Sequence, residues 1–367
     1  MNYIADLKKV VEINSYTKNT EGVNLVGEIF DEWFEALGFE TVIYKRDNVG
    51  DHRYYKSLHV NNSPKLLLLG HIDTVFPPGK FEYFTEDEKW VYGPGVCDMK
   101  GGNIVLLEAL RQLTCKDLKI QNIDILLVSD EETGSDDSKY LTAELAKEYT
   151  YCFVYEAAGA NLELVSGRKG VGTFFVDIEG KAAHAGNHYS EGCDANLELS
   201  YKLQKLVQLT DLDKGTTVNV GKIEGGIGAN TVSPHAQLVF ELRYKYSVEK
   251  ERVLSAIEKI IQTSFVRGVK ATLSGGIQRD VMQTTDSSTA LLQKIKMITQ
   301  QQIAAEERGG VSDANIVSAC GVVTLDGFGP YGDGDHTVKE RASKESFVSR
   351  IEMSTKLFEY FIKNLKF

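Results

Sequence analysis

Blocks of apolar and polar positions along the first part of the chain alternate between helix and strand spacing. The stretch GVNLVGEIFDEWFEALGF (22–39) repeats apolar residues at helical intervals and reaches Gly38, a residue suited to closing a helix. KLLLLG (65–70) is a short apolar run of the kind that forms a strand covered on both faces. MKGGNIVLLEALRQL predicts a helix, NIDILLVSD a strand, SKYLTAELAKEY a helix and YTYCFVYEA a strand. The N-terminal MNYIADLKKVVEINSYTKNT predicts an amphipathic helix. Such alternation implies an α/β fold, a mostly parallel sheet with helices on both faces.

Near residue 168 the pattern changes. GVGTFFVDIEGKAAHAG predicts a strand and turn, ANLELSYKLQKLVQL a helix, TTVNVGKIEGG a strand, AQLVFELRYKY an alternating strand, VEKERVLSAIEKIIQTSF a helix and KATLSGG a last strand. This βαββαβ, ferredoxin-like order spans about 110 residues, enough for one small α+β domain. Helices then resume at STALLQKIKMITQQ, SDANIVSAC and SKESFVSRIEMSTKLFEYFIKN. We therefore expect a catalytic domain of residues 1–167 plus 279–367, with residues 168–278 inserted into it.

The strand-like runs end in polar residues. LLLLG stops at His71-Ile72-Asp73, IDILLVSD at Glu131-Glu132 and CFVY at Glu156. Asp98 lies in the glycine-rich GPGVCDMKGG and His336 in GPYGDGDHTVKE. Open α/β sheets build their sites at the carboxyl ends of strands. Imidazole and carboxylate without thiolate suit zinc or a similar divalent ion. At i, i+2 on extended chain, Asp73 can bond the far nitrogen of His71 and fix its tautomer. Neighbours on extended chain point to opposite sides, so one of Glu131 and Glu132 can bind metal while the other faces substrate as a base.

Singly, each piece also has a plainer meaning. His-x-Asp can be a surface turn, Glu-Glu-Thr-Gly a solvated helix start, and a glycine-rich loop only a turn. His184 fits a turn histidine, Arg243 a solvated strand residue and Ser312-Asp313 a helix N-cap. His188 and His235 are expected to be surface residues, His52 and His59, in a polar stretch without partner spacing, to be uninvolved, and Cys97 to be a small buried residue.

Composition narrows the function. A formal net charge of −11 argues against nucleic acid as the main partner. No run of about 18 apolar residues suggests a membrane span. The five cysteines are scattered and no signal-peptide pattern opens the sequence, so a cytoplasmic protein is expected. Neither common glycine-rich nucleotide motif is present.

Taken in order, GHIDTVFP, GPGVCDMKGG, SDEETGS, VYEAAG, GKAAHAG, GGIGANTVSP, GGVSDAN and GDGDHTVKE resemble a known family over essentially the whole chain. It is the di-zinc metallopeptidase and amidohydrolase family of glutamate carboxypeptidase, peptidase T, acetylornithine deacetylase and succinyl-diaminopimelate desuccinylase. The resemblance implies two Zn2+ ions, with Co2+ or Mn2+ as substitutes. His71 and Glu156 would hold one metal, Glu132 and His336 the other, and Asp98 would bridge them, followed by a cis peptide bond. Asp73 would orient His71 and Glu131 would be the general base. His184 would reach the partner subunit's active site and help hold the oxyanion. Asn230 and Arg243 would bind substrate, Arg243 taking a free carboxylate. The inserted domain would form a homodimer interface.

The implied substrate is a small peptide or an N-acyl amino acid, cleaved at an amide beside a free carboxylate. Carboxypeptidase or dipeptidase action is the first expectation and N-acyl amino acid deacylation the alternative. A relative that had lost catalysis would be expected to lack a ligand or the base, and this sequence lacks none. Two positions depart from many members: Ala157-Ala158 follows Glu156 where Pro is common, and Met99 follows Asp98 where some members have Asp.

Overall fold

The computed structural model describes residues 3–60 and 62–367. The chain forms two compact units, residues 1–167 with 284–308 and 312–367, and residues 168–283 with 309–311.

The first unit is built on a six-stranded sheet in the order Glu40–Tyr44, His52–Lys56, Ile123–Val128, Leu66–His71, Tyr151–Val154, Val323–Leu325. The last four strands run parallel, whereas the first two pair antiparallel at one edge. The sheet is therefore mixed. These two short edge strands, ETVIY and HRYYK, carry charges that hid them from the apolar pattern. Every residue of Leu66–His71 and Ile123–Val128 is buried, as strands covered on both faces require.

Helix Lys100–Thr114 packs on helices Lys344–Asn364 and Tyr3–Val11. The first two residues of the N-terminal helix read from sequence lie outside the described residues. Gly102 lets the first turn of Lys100–Thr114 approach the sheet, since a Cβ there would sit 1.8 Å from the Tyr155 carbonyl oxygen. Leu68 is fully buried, in register with Ile125 on one side and Phe153 on the other. Leu68→Ala should cost about 2–5 kcal/mol, read as a lower urea midpoint in equilibrium unfolding.

A smaller four-stranded sheet orders Gly332–Asp333, Arg341–Ser343, Trp90–Tyr92 and Thr85–Glu86. Pairing of Arg341 with Tyr92 brings the segment after Tyr92 beside the turn that precedes Arg341.

The second unit is a four-stranded antiparallel sheet ordered Thr217–Gly225, His235–Tyr244, Gly170–Glu179, Lys270–Arg279. With helices Ala195–Val207 and Ser247–Gln262 it has βαββαβ chain order. Alternate residues of His235–Tyr244 are buried, among them Leu238, Phe240 and Leu242, and they meet Val253 and Ile257 in a separate core. The unit continues to Gln283 rather than stopping at 278. Its last strand runs to Arg279, and Met282 then exchanges backbone hydrogen bonds with Arg168.

Candidate metal centre

At the carboxyl end of Leu66–His71 the histidine ring is held on both sides. His71 Nδ1 lies 3.1 Å from the Asp73 carbonyl oxygen and 3.3 Å from its carboxylate. The Asn103 side-chain amide donates to the His71 carbonyl at 2.7 Å. Asp73 is itself fixed by the Thr17 hydroxyl at 2.6 Å and by the backbone N–H groups of Glu131 and Glu132, each at 3.3 Å. One buried carboxylate thus orients the imidazole and the start of the next ligand-bearing turn together.

The other ring nitrogen, His71 Nε2, faces Asp98 Oδ1 at 3.0 Å and Glu156 Oε1 at 3.8 Å. The second oxygen of Asp98 faces His336 Nε2 at 3.3 Å, and that nitrogen is 3.1 Å from Glu132 Oε2. Ligand-type atoms of His71, Asp98 and Glu132 all lie within 4.8 Å of one another. The arrangement is two half-sites, each a histidine and a carboxylate, sharing Asp98. The Asp98–Met99 peptide is cis. His336 adopts a left-handed backbone with φ of 60°, unusual for a residue with a side chain. The turn around it is closed by the Thr337 N–H donating to the Gly334 carbonyl at 3.0 Å.

Glu131 and Glu132 are not on extended chain. They open a single 3-10 turn, Glu131–Thr133, so winding of the turn, not strand alternation, separates the two carboxylates. Glu132 faces His336, and Glu131 is near enough to Glu156 for its charge to favour protonation there.

The electrostatics are those of a site short of positive charge. Burial, reinforced by the charge of Asp98, pushes Glu132 up to about 8 and Glu156 well above the usual carboxylate range. Asp98 is also buried, yet hydrogen bonds from His336 and His71 outweigh that and hold it low. Bonds to Asp98 and Glu132 raise His336 to about 11. Burial opposes the charged form of His71, but Asp73 and Asp98 overcome it and raise that ring too. Protons on the histidines balance the carboxylates, and a divalent cation would supply the same charge while displacing them. The N/O donor set fits such an ion, with His71 and Glu156 buried, Asp98 and Glu132 half-buried and His336 exposed.

His184, Asn230 and Arg243 stand in the second unit. His184 and Asn230 are exposed and adjacent: Thr231 forms a bridge with His184, and the Ala185 N–H donates to the Asn230 carbonyl at 2.9 Å. His184 Nδ1 accepts from the N–H groups of Gly186 and Asn187, both at 3.2 Å, which leaves the proton of a neutral ring on Nε2. Arg243 is half-buried. Its guanidinium meets both oxygens of Glu241, at 2.6 and 3.2 Å, and donates to the Gly309 carbonyl at 2.8 Å.

Several supporting residues were missed in the sequence. His52 is wholly buried: its Nε2 lies 3.0 Å from Asp137 and its Nδ1 accepts the Ser129 N–H at 3.2 Å, two residues before Glu131. His59 bonds the buried Asp124 at 2.7 Å. The Asp313 side chain does not cap its helix and accepts the Ser135 hydroxyl instead. Glu340 accepts three backbone N–H groups from the Asp98 loop. Two of these had a signal, Asp313 in GGVSDAN and Glu340 at the end of GDGDHTVKE. Cys97 is buried, and burial pushes its thiol well up, so it is not poised as a thiolate.

Residues 67–362 match the model of Peptidase family M20/M25/M40. The chain belongs to this peptidase family. It is thus an enzyme of the metallopeptidase and amidohydrolase type. Carboxypeptidase G2 of Pseudomonas sp. is 29% identical over 370 residues, covering 96% of this chain and 88% of that protein. Succinyl-diaminopimelate desuccinylase of Helicobacter hepaticus is 29% identical over 339 residues, covering 85% of this chain and 83% of that protein. Among solved structures, a tripeptidase from Staphylococcus aureus shares the M20 fold at a TM-score of 0.82 and 23% identity, covering 99% of this chain and 97% of that one.

Proposed function

We propose that this M20 enzyme is a carboxypeptidase or dipeptidase that uses two divalent ions to cleave an amide beside a free carboxylate. The observation that carries this reading is Asp98, with His71 facing one oxygen and His336 the other, and each histidine backed by its own carboxylate. His71 and Glu156 would hold one ion, His336 and Glu132 the other, with Asp98 shared and Asp73 orienting His71. Zinc fits the donors best, and cobalt or manganese would substitute. When bound, such a pair polarises the amide carbonyl and lowers the pKa of water.

The chain's own groups do the rest. Glu131 takes the proton from the attacking water and passes it to the leaving nitrogen. His184, with Nε2–H as its outward donor, steadies the oxyanion from the partner subunit. Asn230 binds beside it, and Arg243 takes the substrate carboxylate in competition with Glu241. A homodimer through the second unit is supported by its edge strand Thr217–Gly225, where Ile223 and the following Ile227 are 57% and 71% exposed. Among the described residues no helix is long and apolar enough to cross a membrane, and the five cysteines are unpaired, in keeping with a cytoplasmic enzyme.

Deacylation of an N-acyl amino acid is the second reading, favoured by the likeness to the desuccinylase. The two are separated by following free amine release from dipeptides, a glutamate-terminated conjugate and N-acetyl and N-succinyl amino acids. Preference for the first two supports the peptidase reading. Preference for the acyl amino acids overturns it in favour of deacylation.

A further inference from the structure

One buried carboxylate takes no part in that mechanism. Glu340 is 1% exposed, and its carboxylate accepts backbone amides, with Asp98 and Lys100 close enough to act on it by charge. Its Oε1 accepts the N–H groups of Cys97 at 2.9 Å and Asp98 at 3.1 Å, and its Oε2 accepts that of Gly95 at 3.0 Å. Its carbonyl accepts from the Gly93 N–H at 3.4 Å. Four amides of one short loop therefore end on one residue. That loop has positive φ at Gly93 and Gly95 and closes on Asp98, and within it the Val96 N–H donates to the Gly93 carbonyl at 3.3 Å.

Glu340 itself is tied to the other half-site. Its N–H donates to the Thr337 carbonyl at 3.1 Å, and Thr337 in turn closes the turn that carries His336. The Thr337 hydroxyl donates to the Gly334 carbonyl at 2.7 Å and accepts the Lys339 N–H at 3.2 Å. Asp98 and His336 lie 238 residues apart (336 − 98), yet one residue joins their loops, by its side chain to the first and by its backbone N–H to the second. A carboxylate accepting several amides fixes a loop in the way an anion is held in a backbone nest, with the roles reversed.

We propose that Glu340 is a positioning residue that holds the Asp98 loop against the His336 turn in the metal-free protein, so that the shared carboxylate is in place before any ion arrives. The inference rests on the reading of Asp98 and His336 as metal ligands, but the loop itself can be tested without metal. Both side-chain oxygens of Glu340 accept backbone N–H groups. Glutamine keeps its shape and turns one acceptor into a donor, which sets N–H against N–H at the loop.

The test uses the full chain stripped of metal. Backbone hydrogen exchange in the wild type should show the Gly95, Cys97 and Asp98 amides protected before any ion is added. Exchange of these amides at the rate of an open loop would overturn the proposal. Cobalt(II) is then titrated into wild type and Glu340→Gln, followed by calorimetry and visible absorption. The variant should bind cobalt about 10–100-fold more weakly, the usual effect of losing a partner behind a ligand, with an altered cobalt spectrum. Superposed titrations and spectra would overturn the proposal. Should the variant not fold, the wild-type exchange data decide alone. A wild type that takes up no cobalt but keeps these amides protected would sink the reading of the site and leave Glu340 as the loop's anchor.

Discussion

Replacing Glu131 by glutamine is expected to lower amine release by at least about 100-fold while the protein still takes up its metal. The reason lies in where the two neighbouring glutamates are sent. The 3-10 turn at Glu131–Thr133 aims Glu132 at His336, 3.1 Å away. Glu131 does not belong to the trio of metal-type atoms formed by His71, Asp98 and Glu132. Glutamine keeps the shape of Glu131 and cannot take a proton, so the loss should appear in kcat rather than in KM. Turnover within a few-fold of wild type would show that another group is the base.

Asp98→Asn should act on the opposite side of the same chemistry, by removing metal binding itself. Its oxygens face His71 at 3.0 Å and His336 at 3.3 Å. An amide offers one weak acceptor and one donor, so a half-site is lost and the other is left with the wrong charge. The loss of affinity should exceed the about 10–100-fold typical of removing a supporting partner, because the ligand itself is gone. Calorimetry with zinc measures it directly. The two variants should therefore fail differently, Glu131→Gln loaded and inactive, Asp98→Asn inactive because it is unloaded. Unchanged zinc uptake by Asp98→Asn would break the assignment of the shared ligand.

What could be read from sequence was what local periodicity encodes. KLLLLG shows both that a strand forms and that it is buried on two faces, and such a strand ends at its carboxyl edge wherever the apolar run stops, here at His71. The alternation in AQLVFELRYKY likewise marks one buried face of the second unit's sheet. Partners distant in sequence leave no such trace. Nothing around Thr17 announces that its hydroxyl holds Asp73, 56 residues on. His52 looked like part of a polar stretch because HRYYK mixes charge with aromatics, yet it is a strand residue buried beneath Ser129. The Glu131-Glu132 pair was placed on extended chain because the preceding run is a strand. The turn that replaces it is closed by the Ser135 N–H donating to the Asp130 carbonyl, with Gly134 left-handed between them.

The cluster around Asp98 is proposed as a metal centre for amide hydrolysis. The most direct measurement is amine release from the substrate panel by metal-stripped protein as zinc is added in known equivalents. The account predicts no release from the stripped protein, a rise that levels off at two equivalents, and loss on adding a chelator. Release that ignores both zinc and chelator, or none from any substrate with two equivalents bound, would contradict it.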